Sequence, residues 1–220
     1  MQIIVNLIDF ILHIDKHLVE IINIFDIWTY IILFLIIFVE TGVVIFPFLP
    51  GDSLLFAAGA LSVLDGSALH IVPVIIVLWL AAILGDTVNY AIGKRVGTAI
   101  PKNSWISKWI NQEKMDKAEQ FFNKYGGKTI FIARFMPFIR TFAPFVAGAS
   151  RMNYRYFLTY NVLGATAWVL ICTLAGYFFG QVPIIKDNFS LVAIGIIIVS
   201  VLPIIISFIR SKVMKKKTDK

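Results

Sequence analysis

Arg134 and Arg140 flank Pro137 inside an apolar run from Thr129 to Ser150. A second stretch answers it with opposite charge: Glu40, then Pro47-Phe48-Leu49-Pro50-Gly51-Asp52. The chemistry open to these groups follows from their types. A guanidinium stays charged and grips phosphate oxygens with a planar fork of donors. A carboxylate in an apolar setting can take up a proton. If the two stretches meet, Glu40 and Asp52 face Arg134 and Arg140. Left unpaired at membrane depth, four such charges would cost roughly 10 kcal/mol or more. Paired around a water-filled cavity, they form a neutral cluster. Protonating Glu40 or Asp52 would release an arginine to bind an anionic headgroup, and losing that proton on the other side would evict it. That cycle is a proton-linked anion or phospholipid carrier.

Each residue also has a structural reading. Asp52 stands before Ser53-Leu54-Leu55, where a helix N-cap belongs. Arg134 and Glu40 could pair only to hold the fold. Asp86, with Asn89 and Tyr90, could be interhelical glue. Arg151 and Arg155 read as anchors at the membrane surface. His13 and His17 stand one turn apart, a spacing that can hold a metal, but no carboxylate motif accompanies them, so no metal and no other cofactor is expected.

The elements that must position these groups are set by composition. Of 220 residues, 59% are hydrophobic, and the mean hydropathy is +0.84. A soluble domain of this length could not hide that much apolar surface. The net charge of +7 is unevenly spread. No Lys or Arg stands between His17 and Gly93; the basic residues gather in 94–128, at Arg151 and Arg155, and in the tail from Arg210. A nucleic-acid partner would need a basic face on a folded domain. Basic residues flanking apolar spans instead mark the cytoplasmic side, where they can also touch anionic lipid headgroups. Cys172 is alone and supports no disulfide framework. The first residues carry Asp9 and Asp15 and no basic region, unlike a cleavable signal peptide.

These patterns predict an all-α integral membrane protein. Residues 1–26 form an amphipathic helix with a polar stripe at Asn6, Asp9, His13, Lys16, Glu20 and Asn23. Residues 27–64 form a re-entrant hairpin broken at Pro47, Pro50 and Gly51, and 71–93 a span. Residues 94–128 form a basic cytoplasmic loop with a surface helix over 112–125. Residues 129–150, with Pro137, Thr141 and Pro144 inside and cations on both flanks, form a second re-entrant hairpin. Residues 156–180 and 189–209 are spans, and 210–220 is a basic cytoplasmic tail. The N-terminus then lies outside or at the outer interface.

An internal duplication underlies this plan. Phe56-Ala57-Ala58-Gly59-Ala60 recurs as Phe145-Val146-Ala147-Gly148-Ala149, Trp79 as Trp168, Pro47-Phe48 as Pro137-Phe138, and Tyr90-x-x-Gly93 as Tyr177-x-x-Gly180. Four matches in order, with hairpins opening to opposite sides, describe an inverted repeat with a site between broken helices. Enzyme readings are thin. No histidine follows His70 to serve a lipid phosphatase, His-Glu-x-x-His is absent, and neither Gly51-Asp52 nor Gly85-Asp86 has the Gly-x-Gly-Asp form of an intramembrane protease.

Glu40, the Pro47-x-x-Pro50-Gly51-Asp52 turn, Gly85-Asp86-x-x-x-Tyr90-x-x-Gly93-Lys94 and Arg134-Phe135-x-Pro137-x-x-Arg140-Thr141-x-x-Pro144-x-x-x-Gly148 together resemble the DedA family, the bacterial branch of the SNARE-associated (VTT-domain) membrane proteins. The resemblance covers residues from about 30 to 180. It implies two opposed re-entrant hairpins and movement of lipids between leaflets, with undecaprenyl phosphate or phosphatidylethanolamine as substrate and dependence on proton motive force. It also implies essential roles for Glu40, Asp52, Arg134 and Arg140. The expected partners are an anionic phospholipid or polyprenyl phosphate, the bilayer and protons; a homodimer is compatible with this, and nucleic acid is not expected. Three hypotheses follow. In a lipid translocase of a bacterial cytoplasmic membrane, the arginines hold phosphate and the acids carry protons. In a proton-coupled small-ion antiporter, the acids matter more and lipid is irrelevant. In a membrane scaffold, the 94–128 loop matters and the charges do not.

Overall fold

The computed structural model describes residues 14–43, 51–96, 125–136, 139–187 and 195. Several expectations fall outside them: the Pro47, Pro50 and Pro137 breaks, the Phe48–Phe138 match, nearly all of the surface helix over 112–125, the span over 189–209, the basic tail, and His13. The described secondary structure is helical throughout, as expected for an all-α membrane protein. In chain order it comprises α1 (Ile14–Phe25), α2 (Ile27–Gly42), α3 (Gly51–Leu61), α4 (Ile71–Val96), α5 (Lys128–Ala133), α6 (Phe142–Ala149), α7 (Tyr154–Gly180) and α8 (Pro183–Asp187).

Lengths separate these helices into classes. α4 has 26 residues and α7 has 27. At about 1.5 Å per residue each exceeds the roughly 30 Å of a bilayer core. Both are apolar enough to cross a membrane. α3 has 11 residues, α5 six and α6 eight, and none of these can span. α1 and α2 form a bent pair, the geometry of one further broken span or of a re-entrant loop. The break is at Asp26, whose φ of 42° ends the α1 hydrogen-bond ladder.

The chain divides into two compact units. One comprises Met1–Thr29, Pro50–Val74 and Cys172–Lys220, the other Tyr30–Leu49 and Ile75–Ile171. These units are interleaved, whereas the two sequence repeats follow one another. The reason is that each repeat's short helix packs on the other repeat's long one.

In the first unit α3 lies against the end of α7. A Cβ at Gly59 would run into the Thr173 carbonyl, and one at Gly176 into the Phe56 carbonyl, so the two backbones touch. The Phe56 and Phe179 rings close the contact at 5.4 Å. Asn23, the last residue of the polar stripe read from sequence, ties α1 to the turn after α3. Its Nδ2 donates to the Gly66 carbonyl at 2.7 Å, and its Oδ1 accepts from the Ala68 N–H at 2.8 Å.

In the second unit α6 lies in the same way against the end of α4. A Cβ at Gly148 would strike the Tyr90 carbonyl, and one at Gly93 the Phe145 carbonyl. The α3–α6 match is therefore real in three dimensions. The contacts pair Thr173-x-x-Gly176 with Tyr90-x-x-Gly93, so the Tyr177-x-x-Gly180 match read from sequence is one helical turn out of register. α5, the turn after it and α6 form a helical hairpin. Ile130 and Ala133 of one arm join Ala143 and Ala147 of the other in a core with Tyr90 and Phe157.

Candidate functional site

The site lies in the second unit, where four elements converge. α2 and α4 approach at glycines: a Cβ at Gly85 would collide with the Thr41 side chain. That closeness sets Glu40, near the end of α2, beside Asp86 on α4. The last turn of α2 leaves carbonyls without intrahelical partners. Asn89 meets one of them, its Nδ2 donating to the Thr41 carbonyl at 3.1 Å and to the Thr141 carbonyl at 2.8 Å. One buried amide thus joins the end of α2 to the start of α6.

The turn between α5 and α6 delivers the arginines. Arg134 follows α5 directly and points at α4 and α7. Its Nη2 donates to the Asp86 Oδ2 in a buried ion pair and to the Asn161 Oδ1 at 2.7 Å. Asn161 is itself fixed, its Nδ2 donating to the Ile83 carbonyl at 3.1 Å. Arg140 turns the other way, and its Nη2 donates to the Glu40 Oε1 at 2.7 Å. Arg134 is 4% exposed and Glu40 1%, while the Arg140 side chain keeps 11% exposure. Both guanidiniums lie over Trp168, with centroid distances of 5.5 and 5.6 Å.

These groups, with Thr41, Ile130, Thr141 and Pro144, line one cleft. The space left between them, about 10 Å³, is that of one water molecule. A phosphate group does not fit while both ion pairs are closed. Among the described residues, the buried Thr141 Oγ1, beside this space, and the buried Asn89 Oδ1 meet no hydrogen-bond partner.

The arrangement sets Glu40 against an arginine, as the sequence led one to expect, but gives Arg134 a different partner. Arg134 pairs with Asp86, which the sequence offered only as interhelical glue, and Arg140 pairs with Glu40. Asp52 belongs to the first unit, where it is exposed in the first turn of α3. There it stands inside the helix, not at the N-cap ahead of it, and a carboxylate in a first turn is favoured by the helix dipole. Gly51 is the buried first residue of α3. Pro144 does not break a helix; it stands in the first turn of α6, where its missing N–H costs nothing. Tyr90 supports the site from below. Its hydroxyl donates to the Met152 carbonyl just past α6, and its ring stacks on Phe157 at 4.5 Å. Asn161 and Trp168 were not singled out as site residues from sequence. Their signal was present, since Asn161, Gly164, Ala165 and Trp168 form one stripe of α7, and a polar amide inside an apolar span needs a partner.

A family model described as VTT domain matches residues 49–178. Protein DedA of Escherichia coli (strain K12) is 53% identical over 212 residues, 96% of either chain. An uncharacterized membrane protein of Mycobacterium tuberculosis (strain ATCC 25618 / H37Rv) is 43% identical over 176 residues, 80% of this chain and 77% of that one. Inner membrane protein YqjA of Escherichia coli (strain K12) is 36% identical over 155 residues, 70% of this chain and 69% of that one. No solved structure gives a significant match.

Proposed function

This chain belongs to the DedA family of VTT-domain membrane proteins, and from that premise we propose that it moves a phosphate-bearing lipid between leaflets, with undecaprenyl phosphate as the favoured substrate. It is a multi-pass membrane protein. The reading is of a proton-coupled carrier and not of an enzyme. The observation that carries it is the pair of arginine–carboxylate bridges, one buried and one half-buried, around one cleft in the second unit.

The two bridges have different parts. Arg134 is held twice, by Asp86 and by an asparagine that is itself anchored. Arg140 is the more exposed and is held through Glu40. In the proposed cycle Arg140 exchanges its carboxylate for a phosphate while Arg134 stays fixed as the second positive charge. Glu40 takes a proton as Arg140 leaves it, which keeps the cluster near neutrality at each stage. A lone cation at membrane depth would be costly, so anion entry and proton uptake go together. Asp52 is a second proton carrier on this reading, and its part rests on the family resemblance alone.

The test is leaflet-resolved. Purified protein is placed in liposomes with labelled undecaprenyl phosphate, a pH gradient is imposed, and outer-leaflet label is followed for wild type, Arg140→Ala and Glu40→Gln. Translocation that either change abolishes supports the carrier. Wild-type protein that moves no lipid yet dissipates the gradient rejects it.

A second reading has its own support. A space the size of one water suits a small ion better than a headgroup, and favours a proton-coupled antiporter if the cleft never opens further. Basic residues around α4 and α7, and the tail from Arg210, support a bacterial cytoplasmic membrane with the C-terminus inside. The expected partners remain an anionic phospholipid or polyprenyl phosphate, the bilayer and protons.

A further inference from the structure

We infer that Trp168 is the positioning residue that holds the two arginines together for one anion. The inference rests on the carrier reading and extends it to a residue that reading does not use. Trp168 is 3% exposed and lines the cleft. The Arg134 and Arg140 guanidinium carbons lie 5.5 and 5.6 Å from its ring centroid, both inside the about 6 Å over which an aromatic quadrupole attracts a cation. One ring therefore serves two like charges.

Such an arrangement meets a need that carboxylates cannot. Two guanidiniums side by side repel each other in a medium of low dielectric. Asp86 and Glu40 offset that repulsion while the cleft is closed, but a carboxylate that grips an arginine occupies the N–H donors that a phosphate requires. An aromatic face has no lone pair to be displaced and no proton to exchange. Its attraction persists while Arg140 changes partners, so the arginine does not swing away between release from Glu40 and capture of the anion. α7 is shaped for this. Asn161 receives Arg134 at 2.7 Å. One turn on, a Cβ at Gly164 would sit 3.5 Å from the Arg134 Nε, which leaves room for the side chain to run along the helix to the ring.

The experiment compares wild type, Trp168→Phe and Trp168→Leu in detergent. Binding of undecaprenyl phosphate and the thermal midpoint are measured for each, and initial translocation rates in liposomes are read against lipid content. Phenylalanine keeps an aromatic face and leucine keeps apolar bulk without one. The expected result is binding weakened on the order of tenfold in Trp168→Leu, largely retained in Trp168→Phe, with the two variants equal in thermal midpoint. The half-saturating lipid content should rise in the leucine variant more than the maximal rate falls. Leucine binding as tightly as wild type overturns the proposal. So does equal loss in both variants in step with thermal stability, which would make Trp168 a packing residue. Wild-type protein that binds no undecaprenyl phosphate removes the carrier reading and this proposal with it.

Discussion

The α3–α7 contact of the first unit and the α6–α4 contact of the second are the same piece of engineering with different cargo. In each, a short helix of small residues presses its backbone on the end of a long one, through Gly59 and Gly176 in one and Gly148 and Gly93 in the other. Side chains this small permit the close approach that stabilises helices in lipid, where no hydrophobic drive pushes them together. The difference begins one turn above the contact. In the register set by these glycines, α4 has Asp86 and Asn89 where α7 has Val169 and Cys172. Close packing belongs to the duplicated plan. The charged cleft is an addition to the second unit, made by placing α2 and the arginine turn beside those two polar residues.

The two units differ most at the charges. Arg134→Ala leaves Asp86 buried without its cation and Asn161 without its donor. Removal of one partner from a buried pair costs about 3–5 kcal/mol. A large drop in thermal midpoint and complete loss of translocation are expected, measured by unfolding in detergent and by the liposome assay. Asp86→Ala should match it, because the arginine is then the stranded charge.

Next in size are the glycines. Gly148→Ala and Gly59→Ala each force a methyl group on a backbone carbonyl, an overpacking worth about 1–3 kcal/mol. The two should lose similar stability. Only Gly148→Ala should also lower the translocation rate per folded molecule, because α6 carries Thr141 and Pro144 of the cleft. Equal effects on rate would erase the distinction between the units.

Glu40→Gln is expected to be gentler on stability and severe on function. The amide can still accept from Arg140, so the thermal midpoint should fall by less than for Arg134→Ala. Coupling to a pH gradient should disappear, read as lipid movement that no longer responds to the gradient. The smallest effects belong to links away from the cleft. Trp79→Phe removes the bond from its indole to the Thr166 hydroxyl, 2.9 Å long, and should cost about 0.5–1.5 kcal/mol with translocation intact.

Much of this was legible in the chain. Apolar runs and the placement of Lys and Arg gave the helical membrane class, and Arg134, Arg140 and Glu40 announced themselves as charges where charge is expensive. The partner of Arg134 was not legible. Nothing local distinguishes Asp52 from Asp86 as the partner of an arginine far along the sequence; the choice depends on which helix α2 crosses, and that depends on Gly85. Asn161 and Trp168 were half legible: their shared stripe on α7 could be read from the spacing, but not that the arginine turn is laid across it. The duplication was readable in the short helices because their small-residue pattern is the contact itself. It slipped by a turn in the long helices because glycine recurs on consecutive turns of α7, at Gly176 and Gly180.

On the carrier reading the Arg140–Glu40 bridge is a working pair and not only a brace. An exchange of its charges tests this most directly, with the double variant Glu40→Arg, Arg140→Glu compared with each single change and with wild type. A brace tolerates reversal, since a salt bridge holds in either orientation. A carrier does not, because the cation must stay on the turn that faces Trp168 and Arg134. The double variant is expected to regain the thermal midpoint lost by the single changes and still to move no undecaprenyl phosphate in liposomes. Recovery of translocation together with stability would contradict it.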